Sequence, residues 1–381
     1  MTLGHLVIDS NAALLFALLP LFVKNLHINF AQAGALATLL LMTSSVTQPL
    51  FGFAQDRRPL FPMSSIGLLV AGLAMGLTGF VTTYAQMIGL VLIAGLGVAA
   101  FHPQAVAQAG RASANHKEWG IALFFTGGST GTGIMSLLIV PLASIFGPHA
   151  TLVALIPAVV AAGLFARAMP TWIGTAPAPP GSPTAAASIR AVALPLSMLF
   201  SVSVLRSAVM TAYLTFLPTL VVLRTGSLGL GAAALAAFLF AGSLGALLGG
   251  AAARTFGSAP VVVVSLVTGM AGLLPVPWLP GSVLVPWVFV AGVVFFASEA
   301  QVTALAQRLL PAFVGVASSL MMGVGLGIGN GGALVTGAVA DRQGIQVALT
   351  ATTFLMVGAI AAALVYVLSM RGPRRARVLE T

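Results

Sequence analysis

The sequence has no cysteine and very few charged residues. The absence of cysteine from all 381 residues excludes disulfides, thiolate metal sites and a cysteine nucleophile. Charged residues make up only 6% of the chain, and Asp and Glu together number 6. A water-exposed globular surface of ordinary composition needs far more charge than this. We therefore expect most of the surface to face lipid.

Long apolar runs dominate the chain, which is 59% hydrophobic with a mean hydropathy of +1.08. A membrane-spanning helix needs about 20 apolar residues, and twelve runs of this kind can be counted. They lie near residues 3–23, 30–54, 62–80, 83–107, 119–144, 149–169, 191–222, 228–252, 258–276, 283–307, 312–339 and 346–370. The sequence therefore predicts an all-α integral membrane protein with twelve transmembrane helices and no room for a soluble catalytic domain.

The basic residues are distributed unevenly between the predicted loops. With the N-terminus in the cytoplasm, twelve Lys and Arg fall on the inside and only Lys24, Arg224 and Arg342 fall outside. This positive-inside pattern predicts that both termini are cytoplasmic, and we expect the basic tail to touch anionic lipid rather than nucleic acid. The first apolar run lacks the basic flank and cleavage site of a signal peptide, so we expect it to remain as a helix.

The chain is predicted to consist of two related halves. Residues 171–189 are rich in Pro and Ala, which predicts a cytoplasmic linker between six-helix bundles over 1–170 and 190–370, with a tail over 371–381. "LLPLFV" from Leu18 resembles "FLPTLVV" from Phe216 at an offset of 198, and "GIALFFTGGSTGTG" from Gly120 matches "GVASSLMMGVGLGIG" from Gly315 at 195. Two nearly equal offsets indicate an internal duplication.

One loop carries a motif that identifies a family. "GFAQDRRP", which follows the second run, resembles the Gly-x-x-x-Asp-Arg loop of the major facilitator superfamily. The resemblance implies that Gly52, Asp56 and Arg57 form a cytoplasmic latch that gates the transporter. The corresponding position after the eighth run keeps Arg254 but lacks the acid. A closer copy, "GAVADRQG" from Gly337 to Gly344, lies outside by the span count, so we expect it to be a solvated turn.

Within this superfamily the chain is similar to the fosmidomycin resistance protein group of bacterial exporters. The similarity rests on "GHLVIDSNAALLFALLPLF", "TSSVTQPLFGFAQDRR", "FHPQAVAQAGRAS" and "RSAVMTAYLTFLP". It implies two pseudo-symmetric six-helix bundles in the bacterial inner membrane and proton-driven export of a small molecule. Members of the group often carry an acid after the His-Pro pair, whereas this chain has Gln104.

Five ionisable residues remain inside the predicted spans once loops and tails are set aside. They are Asp9, Arg206 and Glu299, accompanied by His5 and His102. A charge at the centre of a bilayer costs at least ~2.5 kcal/mol, so such residues need partners or a hydrated cavity. Asp9, His102, Arg206 and Glu299 occupy spans one, four, seven and ten, which line the central cavity in the fold that the resemblance implies.

These residues suggest an antiport mechanism. Asp9, Glu299 and His102 are the predicted proton-coupling groups, and Arg206, which keeps its charge, is predicted to bind an anionic group of the substrate. In the empty protein Arg206 should pair with either Asp9 or Glu299, and a substrate that competes for Arg206 would release a carboxylate to take a proton. The predicted substrate-binding residues are Arg206, His5, Gln104, Tyr213 and Gln301.

Several alternatives remain open at this point. Arg206 could form a purely structural ion pair, and Asp9 could cap the first helix at the membrane surface. His5 and Asp9, one turn apart, could instead serve a metal or metallophore carrier. An intramembrane enzyme is less well supported, because the motifs His-Glu-x-x-His, Gly-x-Gly-Asp and Gly-x-Ser-x-Gly are absent. A scaffold would not need embedded charges, and we expect a monomer that has no enzymatic activity and no cofactor.

Overall fold

The computed structural model describes residues 1–57, 62–112, 117–168, 192–310, 317 and 319–370. The predicted linker at 171–189 and the basic tail at 371–381 lie outside these ranges. The described residues form helices joined by short turns and contain no strand. The α-helices are α1 (Thr2–Leu26), α2 (Phe30–Arg57), α3 (Met63–Leu77), α4 (Tyr84–Ala112), α5 (Lys117–Phe146), α6 (Leu155–Ala168), α7 (Ala193–Thr225), α8 (Leu228–Phe256), α9 (Ser258–Leu273), α10 (Gly281–Phe296), α11 (Glu299–Leu309), α12 (Leu326–Gly329), α13 (Gly332–Gln343), α14 (Ile345–Thr353) and α15 (Leu355–Met370).

The prediction of an all-helical membrane protein is confirmed. In the described part of the chain, 11 segments are long and apolar enough to cross a bilayer. One of them, Thr126–Arg167, is 42 residues long, about twice the length that one crossing needs. A 3₁₀ segment at Gly147–Ala154 divides it into α5 and α6, so this segment accounts for two crossings and the count is consistent with twelve.

Prolines bend two helices at corresponding positions, and glycine and serine shape the turn that follows the second of them. Pro20 lies inside α1 and Pro218 inside α7, at the positions that the first offset relates. The turn after α7 is made by Gly226, whose φ of 69° is a left-handed conformation that glycine adopts without a steric penalty. Ser227 then caps α8 by accepting a hydrogen bond from the Leu230 N–H.

The glycine-rich stretch of α5 packs against α1, as its small residues predict. A Cβ at Gly131 would collide with the Leu6 carbonyl, and one at Gly127 with the Thr2 carbonyl. The two helices therefore touch backbone to backbone. This close approach holds α1 firmly at the centre of the N-terminal half, where 72% of its apolar window is buried.

The two halves of the chain join along α2 and α13. Gly34 approaches the Ala333 carbonyl and Gly337 approaches the Phe30 carbonyl so closely that neither position has room for a Cβ. Further along α2, the Thr38 hydroxyl donates to the Asn330 carbonyl over 2.9 Å. These contacts close the bundle at the end where α2 begins. A second contact between the halves brings Gly133 of α5 against the ring of Phe240 on α8.

Asp341 is exposed in the last turn of α13, as expected of a solvated turn, but it also makes contacts that the sequence did not predict. Its two carboxylate oxygens accept the backbone N–H groups of Phe30 at 2.8 Å and Ala31 at 2.9 Å. These amides open α2 and have no partner within that helix, so the carboxylate of one half caps a helix of the other half. Asp341 therefore joins the C-terminal half to the N-terminal half at the start of α2.

The eleventh crossing is interrupted. A π-helical segment, Ser319–Gly325, precedes α12, and the Ser203 hydroxyl of α7 donates to the Met321 carbonyl within it at 2.8 Å. Between α12 and α13, the side chain of Asn330 accepts a hydrogen bond from the Thr211 hydroxyl at 2.9 Å. Such π-helical turns are rare and frequently accompany functional sites.

Candidate functional site

Three of the embedded ionisable residues meet in the N-terminal half. His5 Nε2 lies 3.2 Å from Asp9 Oδ2, and His102 Nε2 lies 3.8 Å from Asp9 Oδ1. The two Nε2 atoms are 3.2 Å apart. His5 and Asp9 share one face of α1 because they are four residues apart, and α4 supplies His102. We call these three residues the histidine–aspartate cluster.

Backbone carbonyls orient both imidazole rings of the cluster. His5 Nδ1 lies 2.6 Å from the Phe124 carbonyl oxygen, and His102 Nδ1 lies 2.8 Å from that of Val98. A carbonyl can only accept a hydrogen bond, so each Nδ1 carries the proton and donates it. Both Nε2 atoms are therefore the ones that face Asp9. The contact between them is attractive only when one Nε2 also carries a proton.

The cluster is closely packed but open on one side. The His5 ring stacks on Phe124 with centroids 4.0 Å apart, and a Cβ at Gly128 of α5 would collide with Asp9 Oδ2. The side chain of His5 is 4% exposed, whereas that of Asp9 is 28% exposed. The His102 side chain is 16% exposed, so Asp9 is the most accessible member of the cluster.

The other embedded charges pair in the C-terminal half. Arg206 Nη2 on α7 lies 3.2 Å from Glu299 Oε1, the first residue of α11. A break at Ala297 and Ser298 separates α11 from α10. The Arg206 guanidinium also lies over the Phe295 ring, 5.5 Å from its centroid, in a cation–π arrangement. Of the two partners that the sequence left open for Arg206, the structure selects Glu299.

Arg206 is buried but not fully satisfied. Its side chain is 4% exposed against 38% for Glu299, and its buried Nη1 atom has no hydrogen-bond partner among the described residues. A buried guanidinium nitrogen without an acceptor carries a substantial desolvation cost. An anionic oxygen placed beside Nη1 would remove that cost.

Two predicted substrate-binding residues have structural roles instead. Gln104 is buried, and its side-chain oxygen accepts the Ser64 N–H near the start of α3 at 2.8 Å, so it caps a helix. Tyr213 is completely buried, and its hydroxyl donates to the Leu273 carbonyl at 2.8 Å. The seven-residue spacing from Arg206 suggested that Tyr213 faces the same space. The ring instead packs against Phe238 of α8, and its hydroxyl also lies 3.0 Å from the Thr353 hydroxyl of α14.

For the remaining predicted residues the structure gives only the burial of the side chain or the course of the backbone. Gln301 is buried on α11, two residues after Glu299. Arg254 is exposed in the last turn of α8. The backbone of α2 includes Gly52, Asp56 and Arg57, but their side chains lie outside the described residues, so the predicted cytoplasmic latch stays a prediction.

Two polar groups in the interior have no role predicted from the sequence. Asn11 is fully buried on α1, and neither its amide nitrogen nor its amide oxygen has a partner in the described part of the chain. Ser207, beside Arg206, is also buried, with its hydroxyl unpartnered there. The sequence could have identified both residues, because each lies in an apolar run within two residues of an embedded charge.

The new role of Tyr213 can be tested by removing its hydroxyl. We expect Tyr213→Phe to lower the free energy of unfolding by about 1 kcal/mol, because the Leu273 carbonyl loses its donor. Thermal unfolding in detergent measures the loss, and transport below the unfolding temperature should match the wild type. If Tyr213→Phe unfolds at the wild-type temperature but binds solute more weakly, Tyr213 contributes to solute binding and the structural role is excluded.

Comparisons with known proteins agree with this architecture. The family model described as Major Facilitator Superfamily matches residues 1–329. An uncharacterized MFS-type transporter of Bacillus subtilis, YfnC, is 28% identical over 368 residues, which cover 93% of this chain and 88% of that protein. The fosmidomycin resistance protein of Escherichia coli is 26% identical over 371 residues, with the same two coverages, 93% and 88%.

Solved structures of transporters share the fold. A bacterial homologue of the human lysosomal transporter Spinster, in an inward-facing and occupied conformation, superposes with a TM-score of 0.79 at 14% identity, covering 97% of this chain and 95% of that one. The nucleoside transporter NupG gives a TM-score of 0.72 at 15% identity, covering 97% and 98%. Together with the family model over most of the chain, these findings establish that this membrane protein belongs to the major facilitator superfamily of transporters.

Proposed function

We propose that the protein is a proton-coupled antiporter that exports a small anionic or amphipathic compound from the bacterial cytoplasm. In this proposal it works as a monomer in the inner membrane, with both termini cytoplasmic and the basic tail against anionic lipid. The E. coli relative named for fosmidomycin resistance supports export of an antibiotic-like solute. The observation that carries the proposal is the buried Arg206, with one nitrogen on Glu299 and another without a partner.

The arrangement supports competition between the solute and Glu299 for the Arg206 guanidinium. An anionic group of the solute would bind Arg206 through Nη1 and draw the guanidinium away from Glu299. In an antiport cycle Glu299 takes its proton only when no solute is bound, so that proton and solute cross the membrane in opposite directions. Because the same guanidinium serves both states, occupancy by solute and re-formation of the ion pair exclude each other.

Alternating access would move the two halves against each other. The contacts of α2 with α13 would hold one end closed while Glu299 and Asp9 remain reachable from the other. Asp9, with His5 and His102, is the second predicted proton-coupling site, and it lies in the opposite half from Glu299. The predicted latch residues Gly52, Asp56, Arg57 and Arg254 would act at the other end of the bundle.

The coupling role of Glu299 can be tested with the purified protein in proteoliposomes. Fosmidomycin, a phosphonate, is the probe, and a pH-sensitive dye reports proton movement. We expect fosmidomycin to dissipate an imposed pH gradient through the wild type but not through Glu299→Gln, because an amide cannot carry the proton. Exchange of labelled fosmidomycin across the membrane at equal pH should persist in the same variant.

Glu299→Asp serves as the matched control, since it keeps the carboxylate. It should retain proton movement at a reduced rate. Proton movement by Glu299→Gln at the wild-type rate would show that Glu299 is not a coupling group. Loss of both proton movement and equal-pH exchange would show instead that Glu299 is required for binding or folding.

A further inference from the structure

We propose that the histidine–aspartate cluster binds a divalent transition-metal ion of the Zn²⁺ class. His5 Nε2, His102 Nε2 and one carboxylate oxygen of Asp9 would be the three protein ligands, and the fourth position would stay open. This inference rests on the geometry of the cluster alone and holds whichever solute the protein carries.

The spacing of the ligand atoms suits a tetrahedral ion. Zn²⁺ binds imidazole nitrogen and carboxylate oxygen at about 2.0–2.1 Å, which places neighbouring ligand atoms of a tetrahedron about 3.3–3.4 Å apart. His5 Nε2 lies 3.2 Å from both Asp9 Oδ2 and His102 Nε2, and His102 Nε2 lies 3.8 Å from the other carboxylate oxygen, Oδ1. All the candidate ligand atoms lie within 4.8 Å of one another, so an ion could bind with only small side-chain movements.

The tautomers of the two histidines are already those of metal ligands. In metal sites an imidazole commonly donates its second N–H to a backbone carbonyl or carboxylate, which fixes the ring and directs the other lone pair at the ion. His5 and His102 do so toward the carbonyls of Phe124 and Val98. Both Nε2 atoms are thereby directed at the same point beside Asp9.

The ligand types also favour this class of ion. Two imidazole nitrogens and one carboxylate suit Zn²⁺ and its neighbours in the first transition series, whereas Mg²⁺ and Ca²⁺ prefer oxygen ligands. One negative ligand leaves a bound divalent ion with a net charge of +1, which could attract the anionic group of a solute or a water molecule. The partial exposure of Asp9 provides the route to the open position.

The two helices that carry the ligands are held in place by packing. His5 is stacked on Phe124 and lies edge-on to the His102 ring, at a centroid distance of 5.0 Å. Glycine at position 128 lets the backbone of α5 lie against Asp9 and His5, where a Cβ would collide with both. Little conformational freedom remains to be lost when an ion binds, which favours affinity.

Metal binding can be measured on the full-length protein in detergent after treatment with a chelator. Zn²⁺ titrated into the wild type, followed by calorimetry, should bind with a stoichiometry of one, and Co²⁺ should give the visible absorption of a four-coordinate site. His102→Ala and His5→Ala should each weaken binding by about 100-fold or more, because even loss of an outer hydrogen bond to a ligand costs about 10- to 100-fold.

His149→Ala and His27→Ala are the matched controls, because both histidines are exposed and lie outside the cluster. They should bind Zn²⁺ like the wild type. Thermal unfolding without metal checks that each variant is folded, and His102→Gln replaces the ring with a polar side chain if the alanine variant fails. Absence of stoichiometric binding to the wild type, or equal losses in the control and cluster variants, would overturn the proposal. Either result leaves the proposed solute transport unaffected, since no solute is present.

Discussion

Arg206→Gln is expected to lower transport of an anionic solute by about 100-fold or more. Arginine forms strong, charge-assisted hydrogen bonds to an anionic group and can donate two of them in parallel. The neutral amide of glutamine has neither the positive charge nor this pair of parallel donors. A loss of about 2.7 kcal/mol in binding corresponds to this factor. Uptake of labelled fosmidomycin into proteoliposomes at equal pH measures it.

Two further variants separate binding from folding in this test. Arg206→Gln leaves Glu299 without its cation, which could destabilise the protein, so the double variant Arg206→Gln/Glu299→Gln restores neutrality and should fold. It should still fail to transport. Arg224→Gln is the matched control, because Arg224 lies in the last turn of the same helix and binds only the carbonyls of Pro277 and Trp278 in the described structure. Wild-type transport by Arg206→Gln would exclude the guanidinium as the anion-binding group.

Asp341→Ala is expected to shift the protein toward the conformation that is open at the end where α2 begins. The substitution removes two hydrogen bonds to the first N–H groups of α2 and a negative charge at the positive end of that helix dipole. A helix cap contributes about 1 kcal/mol, and the interaction with the dipole about 0.3–1 kcal/mol more. The ratio of the two conformations should therefore change by about 10-fold.

Spin-label distances measure this shift without background, since the chain has no cysteine. Labels at Lys24→Cys and Thr225→Cys would sit at exposed ends of α1 and α7, one in each half. The fraction of long distances should rise in Asp341→Ala and stay unchanged in Arg342→Gln, which alters the adjacent exposed residue. Identical distance distributions for Asp341→Ala and the wild type would show that the cap does not hold this end closed.

Most of the architecture was predictable from local patterns. Apolar runs of spanning length predicted the helices, and the sequence offset placed Pro20 of α1 and Pro218 of α7 in corresponding positions. The embedded residues Asp9, Arg206 and Glu299 were also identifiable. For the helices and the embedded charges, the signal lies within one continuous segment, because the cost of placing a charge or an unpaired backbone group in lipid depends on that segment alone.

The contacts between segments were not predictable in the same way. Helical spacing alone did not reveal that Tyr213 points into the core, that Gln104 caps α3, or that the acid at position 341 caps a helix 310 residues earlier in the chain. These outcomes depend on how each helix is rotated and how closely it approaches its neighbours. The rotation of each helix and its distance from its neighbours are set by the glycine contacts and by the packing of the whole bundle.

The pairing of the embedded charges shows the same division. The amino-acid order was enough to place an arginine, two acids and two histidines inside the membrane and to require that they find partners. Either acid would have satisfied Arg206, so composition and spacing could not choose between them. The break before Glu299 brings that carboxylate to Arg206, while the approach of α4 to α1 leaves Asp9 with the two imidazoles. Only the packed arrangement of helices made that choice, because side-chain partners separated by many turns of chain are set by distance in space and not by distance in sequence.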